Sequence, residues 1–202
     1  MNDFYQKYLT DKSFQLLTDL KKKYKFVLIG GWAVYFYTKA LKSKDIDIII
    51  DFFELEKIKK DFPLEKNERL KKYQIKLEEI DVDIYLPFYS ELGIPAQDII
   101  KNTANIQGFT LPKIEILLIS KVTAYKSRKA SIKGQKDLID IVSLIASENF
   151  DFSYFKNLIK NYNLNTNLEL LKEIFTITKE IPELNFNQHG FSKLKKDILE
   201  NL

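Results

Sequence analysis

Two rhythms of apolar and polar positions divide this chain. Up to about residue 112 the apolar runs are mostly short and several alternate with period two, as strands do. Beyond residue 113 they recur every three or four positions, as helices do. A helix is predicted over residues 4–24 from Phe4, Tyr8, Phe14, Leu17, Leu20 and Tyr24. Residues 26–29 read as a short buried strand, closed by Gly30-Gly31 and followed by a largely buried helix over 32–41. A second strand is expected over 45–51 and a short amphipathic helix over 53–60, ended near Pro63. Tyr73, Ile75 and Leu77 alternate with Gln74, Lys76 and Glu78, a half-exposed strand, and another strand covers 80–86 until Pro87. Residues 95–111 predict a loop, a short helix and one edge strand over 106–111.

From Lys113 onward, Ile114, Leu117, Leu118 and Val122 form one apolar stripe, and Leu138, Ile141, Val142 and Ile145 form the next. Further helices are expected over 152–162, 168–179 and 191–199, and no internal repeat is visible. The fold class predicted is α+β: a small mixed β-sheet flanked by helices, followed by a C-terminal helical region. The boundary falls near Pro112, giving regions 1–112 and 113–202.

The strand over 45–51 breaks the apolar pattern in an informative way. In Asp45-Ile46-Asp47-Ile48-Ile49-Ile50, alternation puts Asp45 and Asp47 on one face and Ile46, Ile48 and Ile50 on the other. Two like charges ~6 Å apart at an effective dielectric of about 20 repel by roughly 3 kcal/mol. A cation between them removes that cost, and Mg²⁺ is the usual occupant of an all-oxygen site, with Mn²⁺ the alternative. Phosphoryl transfer by two metal ions draws its carboxylates from neighbouring strands. A third acid is supplied by Asp81-Val82-Asp83-Ile84, where both acids qualify by register; Asp83, flanked by Val82 and Ile84, reads as the more buried. Gly30-Gly31, between a strand and a helix, leaves backbone N–H groups at a helix N-terminus open to an anion such as phosphate. The spacing of a P-loop is absent.

Composition adds limits rather than direction. With 202 residues, 45% hydrophobic and 30% charged, the chain is an ordinary globular one. It has no cysteine, which excludes disulfides and thiolate metal sites and fits a reducing cytoplasm. Met1-Asn2-Asp3 and the mixed charges after them do not form a signal peptide, and the longest uncharged apolar stretch is too short to span a bilayer, so no membrane partner is expected. The net charge of +4 is unevenly placed. Residues 113–136 hold Lys113, Lys121, Lys126, Arg128, Lys129, Lys133 and Lys136 against Glu115 alone, a field that attracts polyanions or nucleotide phosphates.

The order of apolar strand, Gly30-Gly31, helix, Asp45-Ile46-Asp47 and a distant Val82-Asp83-Ile84 resembles the nucleotidyltransferase superfamily of the DNA polymerase β type. The nearer likeness is to its small prokaryotic minimal and abortive-infection toxin-like members. The resemblance implies that residues 1–112 form a catalytic core in which Asp45, Asp47 and Asp83 are metal ligands for two Mg²⁺ ions, with Asp83 also the base. It implies Gly30 and Gly31 at the triphosphate of an NTP, with Ser43 and Lys44 as polar support. Where many members have Gly-Ser, this chain has Gly-Gly. Lys121-Val122-Thr123-Ala124, Arg128 and Lys136-Asp137-Leu138-Ile139-Asp140 are similar to a pattern that follows the core in the toxin-like branch, which implies Lys121 at the triphosphate. Lys136 stands where Arg is common, keeping charge but losing the fork. Asp137 also has a plain reading as an acid in the first turn of a helix.

The activity implied is transfer of a nucleoside monophosphate from an NTP to a hydroxyl of RNA (a tRNA end) or of a protein partner encoded nearby, in a toxin–antitoxin or abortive-infection setting. A small-molecule acceptor ranks lowest. The rival is a non-catalytic interaction or regulatory module on the same fold. His189 reads as a surface-loop residue, and Trp32, Tyr35, Phe36 and Tyr37 read as core packing.

Overall fold

A computed structural model describes residues 3–202; Met1 and Asn2, on which the absence of a signal peptide partly rests, lie outside the described residues. The chain divides into two compact units. One comprises the described residues up to Glu91 together with Pro95–Lys113, and the other Leu92–Ile94 with Ile114–Leu202.

The first unit is built on a five-stranded sheet. In chain order its elements are α1 (Asp3–Lys23), β1 (Val27–Ile29), α2 (Gly30–Thr38), β2 (Ile46–Ile49), α3 (Phe52–Asp61), β3 (Glu65–Asn67), β4 (Lys72–Leu77) and β5 (Ile80–Tyr85). Then come α4 (Ala96–Ile99) and the hairpin β6 (Thr103–Ile106) and β7 (Phe109–Pro112). The sheet order is β1-β2-β5-β4-β3, with β2 and β5 parallel and the other neighbours antiparallel. The mixed sheet with flanking helices is the α+β arrangement expected. Leu28, Ile46, Ile48, Ile75, Ile80, Val82 and Ile84 are buried, so one face of the central strands is continuously apolar.

Several local expectations need correction. Helix α1 forms where expected, but its buried stripe runs through Leu9, Ser13, Leu17 and Leu20 and on to Tyr24 just past its end, while Phe4 is 78% exposed and Tyr8 and Phe14 also lie in solvent-exposed positions. Ser13 is in that stripe because its Oγ accepts the indole N–H of Trp32 at 2.9 Å, which satisfies a buried donor. Helix α2 starts at Gly30 and ends three residues early, where Lys39 turns into the left-handed region. Strand β2 is shorter than predicted. Asp45 precedes it, and Asp51 instead caps α3 by accepting from Glu54 N. The single edge strand over 106–111 is a hairpin, because Gln107 and Gly108 both take positive φ and reverse the chain in two residues. Strand β3 went unseen in the sequence, where Glu65-Lys66-Asn67 has no apolar residue to mark it.

The second unit is helical: α5 (Ile114–Arg128), α6 (Ile132–Ile145), α7 (Phe152–Asn161), α8 (Asn165–Ile177) and α9 (Gln188–Asn201). Within it α5 packs on α6, α7 and α8, and α8 on α9. Helix α6 begins at the Ser131 cap, so Asp137 is buried well inside it and not in its first turn. His189 is exposed but helical, in the first turn of α9 behind the Asn187 cap, which is not the loop expected. No helix among the described residues is long and apolar enough to cross a membrane.

Candidate active site on the polar face of the sheet

Strand register assembles the acids of the first unit. Ile46 to Ile49 pair in parallel with Val82 to Tyr85, which sets Asp47 directly beside Asp83 on the face opposite the isoleucines. Adjacent strands lie about 4.8 Å apart, so the two carboxylates are near neighbours. Continuing the same register, Asp45 falls beside Asp81. Both Asp45 and Asp81 act on Asp83 electrostatically, and Asp47 lies beside it by register.

The glycine turn closes on this face. Ile29 pairs with Asp47 across β1 and β2, and the chain enters α2 at once, with no side-chain cap from position 29. Gly30 has φ +66, and a Cβ there would come within 2.6 Å of Asp47 Cγ. A Cβ on Gly31 would lie 2.8 Å from Ser43 Oγ. Both positions therefore have to be glycine: the first for its backbone conformation and its contact with Asp47, the second for the approach of Ser43. The Ser43 hydroxyl donates to the Asp45 carbonyl at 2.8 Å, which ties the residue expected near phosphate to the entry of β2. Lys44 is exposed.

Asp83 has an unusual environment. Its side chain is 15% exposed, its Oδ2 is paired with the Lys72 ammonium, and its Oδ1 is buried with no hydrogen-bond partner among the described residues. Burial raises its carboxyl above the ordinary range, opposed by Lys72 and reinforced by the charges of Asp45 and Asp81. Lys72 was not anticipated from the sequence. It sits on the polar positions of β4 with Gln74 and Lys76, and Gln74 pairs with Asp83, so recognising it required the β4–β5 register.

The expected metal ligands are thus brought to one face, but not as a finished cage. Among the described residues no group of three or more His, Asp or Glu side chains is gathered in a metal-holding arrangement. Lys72 holds one oxygen of Asp83 on the β4 side. The donor set still fits a hard divalent cation: the acids supply oxygen ligands, and Asp83 Oδ1 is a buried acceptor lacking a partner.

Lys121, expected at the triphosphate, belongs to the second unit. There its ammonium is held by Asp140 at 2.6 Å and Asp137 at 3.3 Å. Arg128 grips the same Asp137 with two nitrogens, Nε to Oδ2 at 2.7 Å and Nη2 to Oδ1 at 3.0 Å. Burial raises the Asp140 carboxyl above the ordinary range, with Lys121 opposing the shift.

Neither models of known protein families nor curated proteins give a match to this chain. Among solved structures, JHP933 from Helicobacter pylori is 15% identical, with 98% of this chain and 93% of that chain covered and a TM-score of 0.50, a likeness of fold. An antigenic nucleotidyltransferase-like protein from Paracoccidioides brasiliensis is 18% identical over 80% of this chain and 92% of its own, with a TM-score of 0.42, too loose to argue from.

Proposed function

We propose that the first unit is a nucleotidyltransferase. It would take an NTP, attach the nucleoside monophosphate to a hydroxyl of RNA or of a protein partner, and release pyrophosphate. The observation that carries this reading is the register of Asp47 with Asp83 beside a glycine-opened helix N-terminus, with an unpartnered oxygen on Asp83.

In this reading Asp45, Asp47 and Asp83 would hold divalent Mg²⁺. The bound cation would supply charge neutralisation for the triphosphate and a lowered pKa for the attacking hydroxyl. Gly30 and Gly31 present the first turn of α2 to phosphate oxygens, where the helix dipole favours negative charge. Ser43 keeps the β2 entry in place through the Asp45 carbonyl. Asp83, whose carboxyl is raised by burial, accepts the proton of the acceptor hydroxyl. The acceptor oxygen forms a bond to the α-phosphorus as the bond to the pyrophosphate oxygen breaks, and that oxygen leaves with its electron pair.

One observation favours a second reading. Lys72 already neutralises Asp83, so a non-catalytic module could keep the acids with a lysine as counter-charge. NTP turnover with labelled nucleotides, with Asp47→Asn as control, separates the two. A melting temperature raised by Mg²⁺ with NTP supports the enzyme; equal turnover by wild type and variant, or no shift at saturating ligand, supports the module.

A further inference from the structure

The two parallel strands of the sheet end side by side, and each is followed there by exposed aromatic residues. We infer that this end of the first unit is a binding surface for single-stranded RNA, with exposed rings taking bases and nearby cations taking phosphates. The inference deepens the reading above by choosing RNA over protein as the acceptor, and only that choice of acceptor rests on it.

Topology brings the parts together. β2 and β5 run parallel, and the Ile50 N–H donates to the Tyr85 carbonyl at 3.1 Å, so both segments leave the sheet together. Within three residues of that bond each shows phenylalanine to solvent: Phe52 and Phe53 after β2, Phe88 after β5. β4 is antiparallel to β5, so the turn that leads into it, Glu68 to Lys71, reaches the same end. The turn is fastened there. Ser90 Oγ donates to the Lys71 carbonyl at 2.5 Å, and the Tyr89 hydroxyl donates to Glu68 Oε2 at 3.2 Å.

Phe88 carries the most weight. Leu86 and Pro87 before it are buried, yet its own side chain is 83% exposed. Its backbone is left-handed, φ 60, where a bulky residue is an outlier. The Phe88 N–H donates to Gln97 Oε1 at 2.9 Å, which holds that conformation. Asparagine would sit there more easily, and at that exposure the core gains nothing from phenylalanine. Strain of this kind concentrates at ligand contacts.

Charge decides between RNA and protein. Arg69 and Lys71 flank the exposed Leu70 in the fastened turn, are exposed themselves, and have no acid partner among the described residues. Glu68, the acid of that turn, is held by Lys66 at 2.6 Å. Two cations lie over rings: Lys66 Nζ is 5.3 Å from the centre of the Tyr89 ring, and Lys57 Nζ is 4.4 Å from that of Phe53. Protein-binding patches are depleted in lysine, whereas rings interleaved with cations suit a strand that offers a base and a phosphate at every step. Along β5, Asp83 to Leu86 spans about 10 Å, the length of about three stacked nucleotides, so RNA seated here has Asp83 within a few nucleotides' reach.

The test is fluorescence anisotropy of a labelled single-stranded RNA of about 12 nucleotides, with the same RNA as a duplex for comparison and thermal melting of every variant. Wild type is expected to bind the single strand more tightly than the duplex. Phe88→Asn is expected to weaken single-strand binding about tenfold, while its melting temperature stays level or rises because asparagine accepts the left-handed backbone. Phe53→Ser, at an exposed helix start, is expected to weaken binding in the same way, and it decides the matter should Phe88→Asn fail to fold. Arg69→Gln combined with Lys71→Gln is expected to lower the slope of log affinity against log salt by about 1.4. Single-strand affinity that neither ring variant changes, or equal affinity for the duplex, would overturn the inference. So would absence of RNA binding together with a concentration-dependent dimer that Phe88→Asn dissolves, since this end would then be a contact between protein chains. The catalytic reading fails separately. Asp47→Asn is expected to bind the RNA as wild type does, and RNA bound through Phe88 without transfer of labelled nucleotide sinks the nucleotidyltransferase while leaving the surface standing. Transfer to a protein, with no RNA bound, sinks this inference alone.

Discussion

Each unit buries a lysine against an aspartate in its interior, and the two clusters differ in charge balance. In the second unit Lys121 and Arg128 face Asp137 and Asp140, two cations against two carboxylates, with bidentate geometry on Asp137. In the first unit Lys72 faces Asp83 within a group of four acids, and one oxygen of Asp83 has no partner. A balanced, bonded cluster ties α5 to α6. A buried carboxylate oxygen with no hydrogen-bond partner is costly as it stands. The same residue pair has both carboxylate oxygens of Asp137 bonded in one unit and leaves a buried oxygen of Asp83 without a partner in the other.

The contrast is tested most severely by removing one carboxylate from each cluster. Asp47→Asn is expected to lower NTP turnover by about 10³-fold, the scale of losing a group that stabilises transition-state charge, while changing the melting temperature little. Asp137→Asn is expected to do the reverse in kind: about 3 kcal/mol of stability lost in chemical denaturation, because Arg128 and Lys121 lose the charge they share. Reversed results, with the 137 variant stable and the 47 variant unfolded, would break the distinction between the clusters. Gly30→Ala comes next. It forces φ +66 on a residue with a Cβ and pushes that Cβ against Asp47, so turnover is expected to fall by about 10²-fold, with a stability loss of about 1–2 kcal/mol. Wild-type turnover in that variant would mean that Asp47 need not sit where the glycine turn holds it.

Much of this site was legible because strand periodicity is strict. Asp45, Asp47 and Asp83 could be assigned to faces from alternation alone, and Gly30-Gly31 announced a tight turn. What stayed hidden depended on pairing between strands that sequence does not specify. Asp83 rather than Asp81 lies beside Asp47 because of one register, and Lys72 reaches Asp83 because β4 pairs with β5. The buried face of helix α1 stayed hidden for a different reason. Its spacing marked a helix but not the buried face, where Ser13 takes a core position through the Trp32 indole, a polar partnership that hydrophobic spacing cannot register. Likewise Asp137 looked like a first-turn acid until the Ser131 cap moved the start of α6 back.

The smallest effect concerns the pH dependence of the second cluster. Burial holds the Asp140 carboxyl above the ordinary range, so the folded chain keeps its proton to higher pH than the unfolded chain does. Below the unfolded value, near about 4, both states are protonated and the group contributes no slope. As pH rises from there the unfolded chain ionises first, and stability falls until the folded carboxyl ionises as well; above that it is level. Asp140→Asn removes this decline. Lys121 keeps Asp137 as a partner in the variant, which limits the loss of structure. Melting temperature measured from pH 3 to 8 is therefore expected to show wild type losing ground to Asp140→Asn as pH rises above the unfolded carboxyl's value, and the difference levelling off only once the folded carboxyl ionises as well. A difference independent of pH, or one that grows in the wild type's favour, would mean that Lys121 outweighs burial at Asp140, and the second cluster would then be a stronger ion pair than its depth allows.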